Sequence, residues 1–590
     1  MTAASTAVSV RPSAAERVRP LTGRRTVALA AMYYLLAALA VTLVLWRDPA
    51  SRTVAGNPND ADQFAWFFRY DATAIAHARL PDLVTTAMNA PRGVNVMWNT
   101  FMLLPGMLLA PVTLLFGPQA SLTLLMTAGF AGSATAMFAV LRRWQVSVAG
   151  AALGAAVYGF SPALLHSAIG HYDLQFAVLP PLIVDAGLRL ATGRARAVRG
   201  GIRLGLLVTA QVFITEEILF DTALAGMLMA AVLAVSRPRQ VASRVKTLAA
   251  GLGVAACVTA VIAGYPLWVQ FYGPLSQQGS PFAADFYKND LAGLVVPSSL
   301  MLFHTAGSAA AAARFQGHLP EYLGYLGWPL LVVLVAAAIR YWRDPRVRAT
   351  AATWAVLELF SLGGTRAALP WHWLQGLPAL SQVLPDRFAI VADGAAAAAL
   401  AFSLDLARSA APQTWGWQRR GWPFAVVMLA LLPMIPRPLQ AGATPPVPVG
   451  WQAAFARLGP DARVLVVPVP DSHTPEAMRW QADTGEPASL MGGWFVGPGP
   501  AGKATSEYWT DGPTNAEFVA EAGAYLDSLW GTGPPKYKGI PHRQIDTMLA
   551  YWRPTAVVAV TSPGSRLARV LSGIFGRPAF GVGQVLVWRR

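Results

Sequence analysis

"WNTFMLLPGMLLAPVTLLFGP" (residues 98–118) decides how the chain threads a membrane. About 20 mostly apolar residues suffice to cross a bilayer, so this stretch has the length of a span. Its two internal prolines, Pro105 and Pro111, and its position ahead of another long apolar run favour a re-entrant or interfacial helix pair instead. Whether it crosses sets the sidedness of everything that follows, and positive charge provides the criterion.

The composition indicates a membrane protein with many spans. Of the 590 residues, 54% are hydrophobic and only 13% are charged, and the mean hydropathy is +0.42. Soluble chains carry about 25% charged residues, so most of this surface is expected to meet lipid. The net charge of +16 does not indicate a nucleic-acid partner, because the basic residues fall mainly in short loops between apolar runs.

Eleven apolar runs are predicted to span the bilayer when 98–118 does not cross it. They are 26–46, 119–141, 147–165, 174–192, 202–216, 218–236, 247–270, 321–341, 349–362, 388–408 and 422–440. With this threading every arginine-rich loop lies on the side of the basic tail 1–25, and a crossing 98–118 would invert them all. The prediction is a multi-pass protein of a plasma membrane with a cytoplasmic N-terminus.

The opposite, extracytoplasmic face then receives a long first outer loop, 47–118, and the end of the chain. Residues 26–440 form the predicted transmembrane domain, and 441–450 (AGATPPVPVG) a proline-rich linker. Residues 451–590 are predicted to form a small extracytoplasmic α/β domain. Its strands are expected at 463–469, 555–561 and 583–588, and its helices at 514–530 and 564–575.

Asp60 and Asp62 lie early in the outer loop, beside an aromatic cluster, Trp66–Phe68 and Tyr70. Tryptophan and tyrosine favour the headgroup level, so this loop is expected to lie along the outer leaflet. A carboxylate there could take a proton from an acceptor hydroxyl, or the pair could hold a divalent cation such as Mg²⁺ or Mn²⁺. The plain alternative is a solvated loop with ordinary surface acids.

Further polar residues fall at the outer ends of spans. Glu216 and Glu217 interrupt an apolar stretch, where charge is costly unless it faces a cavity or a partner, although a helix turn at the water interface would also place them there. His171 and Asp173 form a second group that could bind phosphate or be an ordinary interfacial pair. The basic side chains that could stabilise a phosphate are Arg92, Lys288 and Arg387.

Several of these segments resemble the GT-C class of membrane glycosyltransferases. The matching stretches are NDADQFAWFF (59–68), NAPRGVNVMWNT (89–100), LLAPVTLLFGP (108–118), YGFSPALLHSAIGH (158–171) and TEEIL (215–219). The resemblance covers mainly residues 45–235. It implies a helical bundle that transfers a sugar from a polyprenyl-phosphate donor, with inversion, to a cell-envelope glycan or glycolipid acceptor.

The resemblance also implies that an acidic residue of the first outer loop is catalytic. Carried onto this chain, that residue is Asp60, with Asp62 as its neighbour. The commonest pattern places the acid directly after glycine, whereas here Asn57–Asn59 separate Gly56 from Asp60, which leaves the choice between the aspartates open.

Two other functions fit the same sequence. A transporter or flippase of lipid-linked or polysaccharide precursors would use acids within the spans, of which Asp185, Asp221, Glu358 and Asp393 are the clear examples. A non-catalytic scaffold with an outer domain that binds envelope polymers would show the same layout.

Overall fold

The computed structural model of the chain describes residues 23–236, 238–282, 285–377, 380, 382–410, 421–472, 474–485, 487–499, 502–506 and 549–589. Most of the described residues are helical. The helix predicted at 514–530 lies outside the described residues, as does the basic tail except for its last three positions.

Residues 23–236 contain eleven α-helices. They are α1 Arg24–Trp46, α2 Pro58–Ala76, α3 Leu103–Leu108, α4 Ala110–Phe116, α5 Pro118–Arg143, α6 Val148–Gly159, α7 Pro162–Ser167, α8 Tyr172–Gln175, α9 Pro180–Ala191, α10 Ala197–Val212 and α11 Glu216–Ser236. The rest of the described chain adds α12 Pro238–Ala242, α13 Val245–Tyr272, α14 Ala306–Ala312, α15 Trp328–Tyr341, α16 Pro345–Ser361, α17 Phe388–Ala410, α18 Trp422–Ala430, α19 Trp451–Leu458, α20 Glu476–Thr484 and α21 Arg566–Phe575.

All eleven apolar runs contain helix, and the chain is a multi-pass membrane protein. Within the described residues, six helices are long and apolar enough to cross a membrane, and two shorter apolar helices accompany them. The number of spans therefore stays a prediction. Near the end of α17, Asp405 accepts hydrogen bonds from the backbone N–H and hydroxyl of Ser147, which directly precedes α6.

The stretch 98–118 forms two short helices rather than a span. α3 has 6 residues and α4 has 7, so each is only about 10 Å long at 1.5 Å per residue. Pro111 occupies the first turn of α4, where its missing N–H costs no helical hydrogen bond. Both helices pack against α2, in agreement with the helix pair predicted from the prolines.

The aspartate-bearing segment is a helix, and the expectation of a loop along the outer leaflet was wrong. Pro58 starts α2, and Phe64, Phe67 and Phe68 recur at helical spacing. Trp66, Phe67 and Phe68 are at most 4% exposed, so they belong to the core and not to a membrane-surface belt. Aromatic residues three and four positions apart, such as Phe64, Phe67 and Phe68, are typical of a buried helix face. In α2 this spacing predicts the structure better than the preference of tryptophan for the membrane surface.

The strands after residue 460 lie close to their predicted positions. The three predicted strands are β5 Arg463–Val467, β9 Ala556–Val560 and β11 Val585–Arg589. The remaining described strands are β1 Arg52–Val54, β2 Val84–Thr85, β3 Val94–Asn95, β4 Ala441–Ala443, β6 Ser489–Leu490, β7 Val496–Pro498, β8 Ala504–Ser506 and β10 Phe580–Val582. A five-stranded mixed sheet has the order β10-β11-β9-β5-β6, parallel at β9/β5 and β5/β6. Apolar clusters cover both of its faces.

A strand pair and a helix pair are among the contacts that join this C-terminal region to the helical bundle. β4, at the start of the proline-rich segment, pairs antiparallel with β1 directly after the first helix. α20 packs along α2, where the indole of Trp66 donates to Gln481 Oε1 at 2.7 Å. The sheet is thereby held beside the N-terminal half of α2, which carries both aspartates.

Candidate active site

Five charged side chains from five separate segments converge at one end of the bundle. Asp60 is in the first turn of α2, His171 precedes α8, and Glu217 begins α11. Glu321 ends a short 3₁₀ turn, Leu319–Glu321, and Arg387 ends another, Pro385–Arg387. All five segments belong to the face that the positive charges predict to be extracytoplasmic.

These side chains form a continuous chain of ion pairs. His171 Nε2 lies 3.1 Å from Asp60 Oδ2, and His171 Nδ1 lies 3.4 Å from Glu321 Oε1. Arg387 Nη2 lies 3.0 Å from the same Glu321 oxygen, and Arg387 Nη1 donates to Glu217. The order is therefore Asp60, His171, Glu321, Arg387 and Glu217, which we call the charge relay cluster.

Asp60 is the member most strongly held by neutral donors. Asn57 Nδ2 donates to Oδ2 at 2.6 Å and Trp494 Nε1 donates to Oδ1 at 2.7 Å. Burial opposes ionisation, but the hydrogen bond and charge of His171, with the two neutral donors, lower the pKa of Asp60 to about 2. The carboxylate is therefore ionised at neutral pH, and 18% of its side chain stays exposed for a substrate.

The imidazole between the two acids is cationic. Burial lowers the pKa of His171, but the charge of Glu321 and the hydrogen bond and charge of Asp60 outweigh it and raise the pKa to about 9. Glu321 is 1% exposed, and burial disfavours its charge, yet Arg387 and His171 lower its pKa to about 2. The cluster thus combines three carboxyl groups with one imidazole and one guanidinium.

Asp62 lies in a different environment, although it is only two residues from Asp60. Two residues rotate a helix by about 200°, so the side chains leave opposite faces of α2. Asp62 Oδ1 lies 3.2 Å from Arg479 Nη1, which also donates to Gln119 Oε1 at 3.0 Å. Burial raises the pKa of Asp62 to about 7 despite Arg479, and both partners are at most 2% exposed.

The two aspartates do not fit a shared divalent cation. Their carboxylates leave opposite faces of α2, and protein donors bind both oxygens of Asp60 and Oδ1 of Asp62. In the part of the chain that the structure describes, no group of three histidine, cysteine or carboxylate side chains is arranged to hold a metal ion. The expected joint Mg²⁺ or Mn²⁺ site at Asp60 and Asp62 therefore has no support from the geometry.

The other predicted binding residues, which are not members of the charge relay cluster, are Asp173, Glu216, Lys288 and Arg92. Asp173 is buried two residues after His171, and its pKa is raised to about 6 because burial outweighs the charges of His171 and Arg387. Glu216 points away from the cluster toward Gln270, whose Nε2 lies 3.4 Å from it. Lys288 donates to Thr365 at 2.8 Å, and Arg92 lies in the connection between β2 and β3.

Three residues of this site were not predicted from the sequence. They are the cluster member Glu321 and the two neutral donors to Asp60, Asn57 and Trp494. Glu321 stands at the mouth of an apolar run, as Glu217 does, and the same reasoning about costly charge would have selected it. Asn57 gave no signal beyond its place before Pro58. Trp494 lies in the glycine-rich stretch GGWFVGPGPAG (492–502), and only the docking of the C-terminal region onto α2 brings it to Asp60.

Comparison with known proteins finds similarity in structure only. No protein-family model matches the chain, and no curated protein matches it. Among solved structures, a mutant of arabinofuranosyltransferase AftD from Mycobacteria is 16% identical, with a TM-score of 0.49, over 91% of this chain and 37% of that chain. This chain thus spans well under half the length of AftD.

Two further solved structures show the same kind of likeness. The archaeal oligosaccharyltransferase AglB from Archaeoglobus fulgidus, in complex with an inhibitory peptide and a dolichol-phosphate, is 12% identical, with a TM-score of 0.46, over 90% of this chain and 69% of that chain. ArnT from Cupriavidus metallidurans, bound to undecaprenyl phosphate, is 12% identical, with a TM-score of 0.44, over 95% of this chain and 97% of that chain.

These structural neighbours are GT-C glycosyltransferases, the class that the sequence resembles. Their TM-scores lie below 0.5 and their identities below 25%, so the likeness assigns neither a reaction nor a substrate to this chain.

Proposed function

We propose that this protein is a membrane glycosyltransferase that transfers a sugar from a polyprenyl-phosphate donor to an extracytoplasmic acceptor of the cell envelope. The observation that carries the proposal is the charge relay cluster, in which an ionised and partly exposed Asp60 lies beside a cationic His171 at one end of a membrane bundle. The donor class follows from the resemblance of residues 45–235 to GT-C enzymes.

In the proposed reaction the acceptor hydroxyl attacks the anomeric carbon of the donor sugar. The new carbon–oxygen bond forms as the bond to the phosphate oxygen breaks, so the phosphate leaves with the bonding electrons and the anomeric centre inverts. Asp60 accepts the hydroxyl proton. A carboxylate with a pKa near 2 is a weak base, so the proton moves late, once bond formation has made the hydroxyl strongly acidic.

The rest of the cluster sets the charge around this step. His171 is the cation nearest to Asp60 and is 12% exposed, so it can stabilise the negative charge that grows on the leaving phosphate. Arg387 is bound by two carboxylates and is 15% exposed. Arg387 is therefore proposed to have two roles. It holds Glu321 and Glu217 in place, and it binds the donor phosphate.

Substitution of Asp60 tests the proposal. We expect Asp60→Asn to lower sugar transfer in membranes at least about 100-fold, because the amide keeps the shape but cannot take a proton. Asp82→Asn is the matched control, since Asp82 is an acid of the same outer segment with a side chain 70% exposed. Mass spectrometry of lipids that co-purify with the wild-type protein identifies the donor for this assay.

Two results would contradict the proposal. One is wild-type transfer by a correctly folded Asp60→Asn variant. The other is movement of a lipid-linked sugar across reconstituted vesicles without any transfer, which would instead indicate a transporter.

A further inference from the structure

A second cavity lies at the end of the bundle opposite the charge relay cluster. It has a volume of about 470 Å³ and lies among the ends of α5, α9 and α11, the start of α16 and the middle of α17. On α5, Arg143 at the cavity is 24 residues beyond Gln119, or about 36 Å. On α11, Leu233 at the cavity is 16 residues beyond Glu217, or about 24 Å. Since the hydrocarbon core is about 30 Å thick, the two sites lie near opposite membrane surfaces.

The lining of this cavity is cationic. Four arginines and two aspartates face it, which leaves a net charge of two positive units: Arg143, Arg189, Arg194, Arg346, Asp185 and Asp344. Both aspartates form ion pairs with arginines of the cavity. Asp185 Oδ2 lies 3.1 Å from Arg143 Nη1, and Asp344 Oδ2 lies 2.9 Å from Arg346 Nη2. Among the described residues Arg189 and Arg194 have no carboxylate partner within 4.0 Å.

One wall of the cavity is rigid and aromatic. Trp144 and Phe402 stack with ring centroids 6.1 Å apart, and Arg346 lies over the Phe402 ring at 5.0 Å. The indole of Trp144 also donates to Asp185 at 3.1 Å. These contacts fix the positions of two of the cations without using either unpaired arginine, so the cavity exists before any ligand enters it.

A second wall is apolar. Leu188, Met229 and Leu233 line it, and Val235, two residues beyond Leu233 on α11, is 84% exposed on a predicted span. A ligand that satisfies both walls therefore needs an anionic head and an apolar tail. Arginine matches the geometry of phosphate oxygens, and juxtamembrane basic groups attract anionic lipids.

We infer that this cavity binds the phosphate head group of an anionic membrane lipid, in the leaflet opposite the charge relay cluster. The site is separate from the proposed transfer reaction, and its existence does not depend on that activity. A free phosphate shares the head-group chemistry but would leave the apolar wall unused.

Lipid binding to the full chain tests this inference. Native mass spectrometry of the detergent-purified protein measures its affinity for phosphatidylglycerol, phosphatidylcholine and inorganic phosphate. We expect phosphatidylglycerol to bind in preference to zwitterionic phosphatidylcholine, and Arg189→Gln/Arg194→Gln to weaken it roughly tenfold or more. Arg340→Gln/Arg408→Gln is the matched control, because it removes two exposed arginines of the same predicted face that do not line the cavity.

A second variant tests the shape of the cavity independently of its charge. Leu233→Trp fills the apolar wall, and we expect it also to weaken phosphatidylglycerol binding while the melting temperature without lipid stays near that of wild type. If the double arginine variant does not fold, phosphatidylglycerol binding by Leu233→Trp tests whether the lipid occupies this cavity. Wild-type binding by the folded variants, an equal loss in the control pair, or binding of inorganic phosphate as tight as that of phosphatidylglycerol would overturn the inference.

Discussion

The two faces of α2 carry carboxylates that differ in almost every physical respect. On one face Asp60 is ionised, partly exposed and bound by His171 and Trp494. On the other face Asp62 is buried against Arg479, and its pKa is raised to about 7. The comparison teaches that an Asp-x-Asp spacing on a helix separates its acids, so one can serve chemistry while the other joins two parts of the fold.

The largest expected effect is a difference in transfer activity between variants of the two aspartates. Asp60→Asn should abolish most transfer, and it should also lower the melting temperature, because His171 loses one of its two carboxylate partners. Asp62→Asn should leave transfer near that of wild type and lower the free energy of unfolding only modestly, because Arg479 keeps Asp483 as a carboxylate partner. Transfer assays and thermal melts of both variants measure the two effects.

An equal loss of transfer from both folded variants would remove the distinction between the two faces. In that case Asp62 would also act in the reaction, and the choice between the aspartates would reopen.

Next in size is the loss of the partner of Asp62. Arg479→Met should destabilise the protein by about 3 kcal/mol, because Asp62, Asp483 and Gln119 all lose a buried donor. Limited proteolysis should then release the C-terminal region, since α20 carries this arginine. Arg457→Met on the neighbouring α19 is the control, because Arg457 is exposed and only lies over the Phe580 ring.

Trp494 offers a way to change Asp60 from the C-terminal side. Trp494→Phe removes one hydrogen bond that orients the carboxylate of Asp60, and the less well held carboxylate should lower transfer about tenfold. Trp480→Phe is a matched control, since its buried indole N–H has no hydrogen-bond partner among the described residues. An equal loss in both variants would indicate packing rather than the hydrogen bond.

The smallest expected effect is a pH dependence of stability. The pKa of His171 is raised from 6.5 to about 9 in the folded state, so its contribution is fully present below pH 6.5 and is lost as the pH rises through 9. The difference in melting temperature between wild type and His171→Gln should shrink over that interval. His77→Gln at the exposed end of α2 is the control, and a difference that grows with pH would contradict the assignment.

The sequence predicted the elements whose signal is local. Apolar runs located helices in all eleven segments, and apolar β-rich runs located β5, β9 and β11. The helical state of 58–76 was missed because tryptophan and tyrosine also suit a membrane surface. Their helical spacing was the better guide.

The site was predictable where polar residues fall on the face that the positive charges predict to be extracytoplasmic. Asp60, His171, Glu217 and Arg387 were chosen among these, and the structure brings them together. The roles of Trp494 and Arg479 depend on the docking of α20 and its surroundings onto α2, more than 400 residues away along the chain. Nothing in the local sequence encodes that contact.

The pairing of β1 with β4 has a topological consequence. β1 follows α1 and β4 follows α18, with Thr53 opposite Gly442. This ladder fastens the segment after α1 to the segment after α18, which come from opposite ends of the predicted transmembrane domain. A single cut in a loop between β1 and β4 would therefore leave two fragments that this ladder still joins.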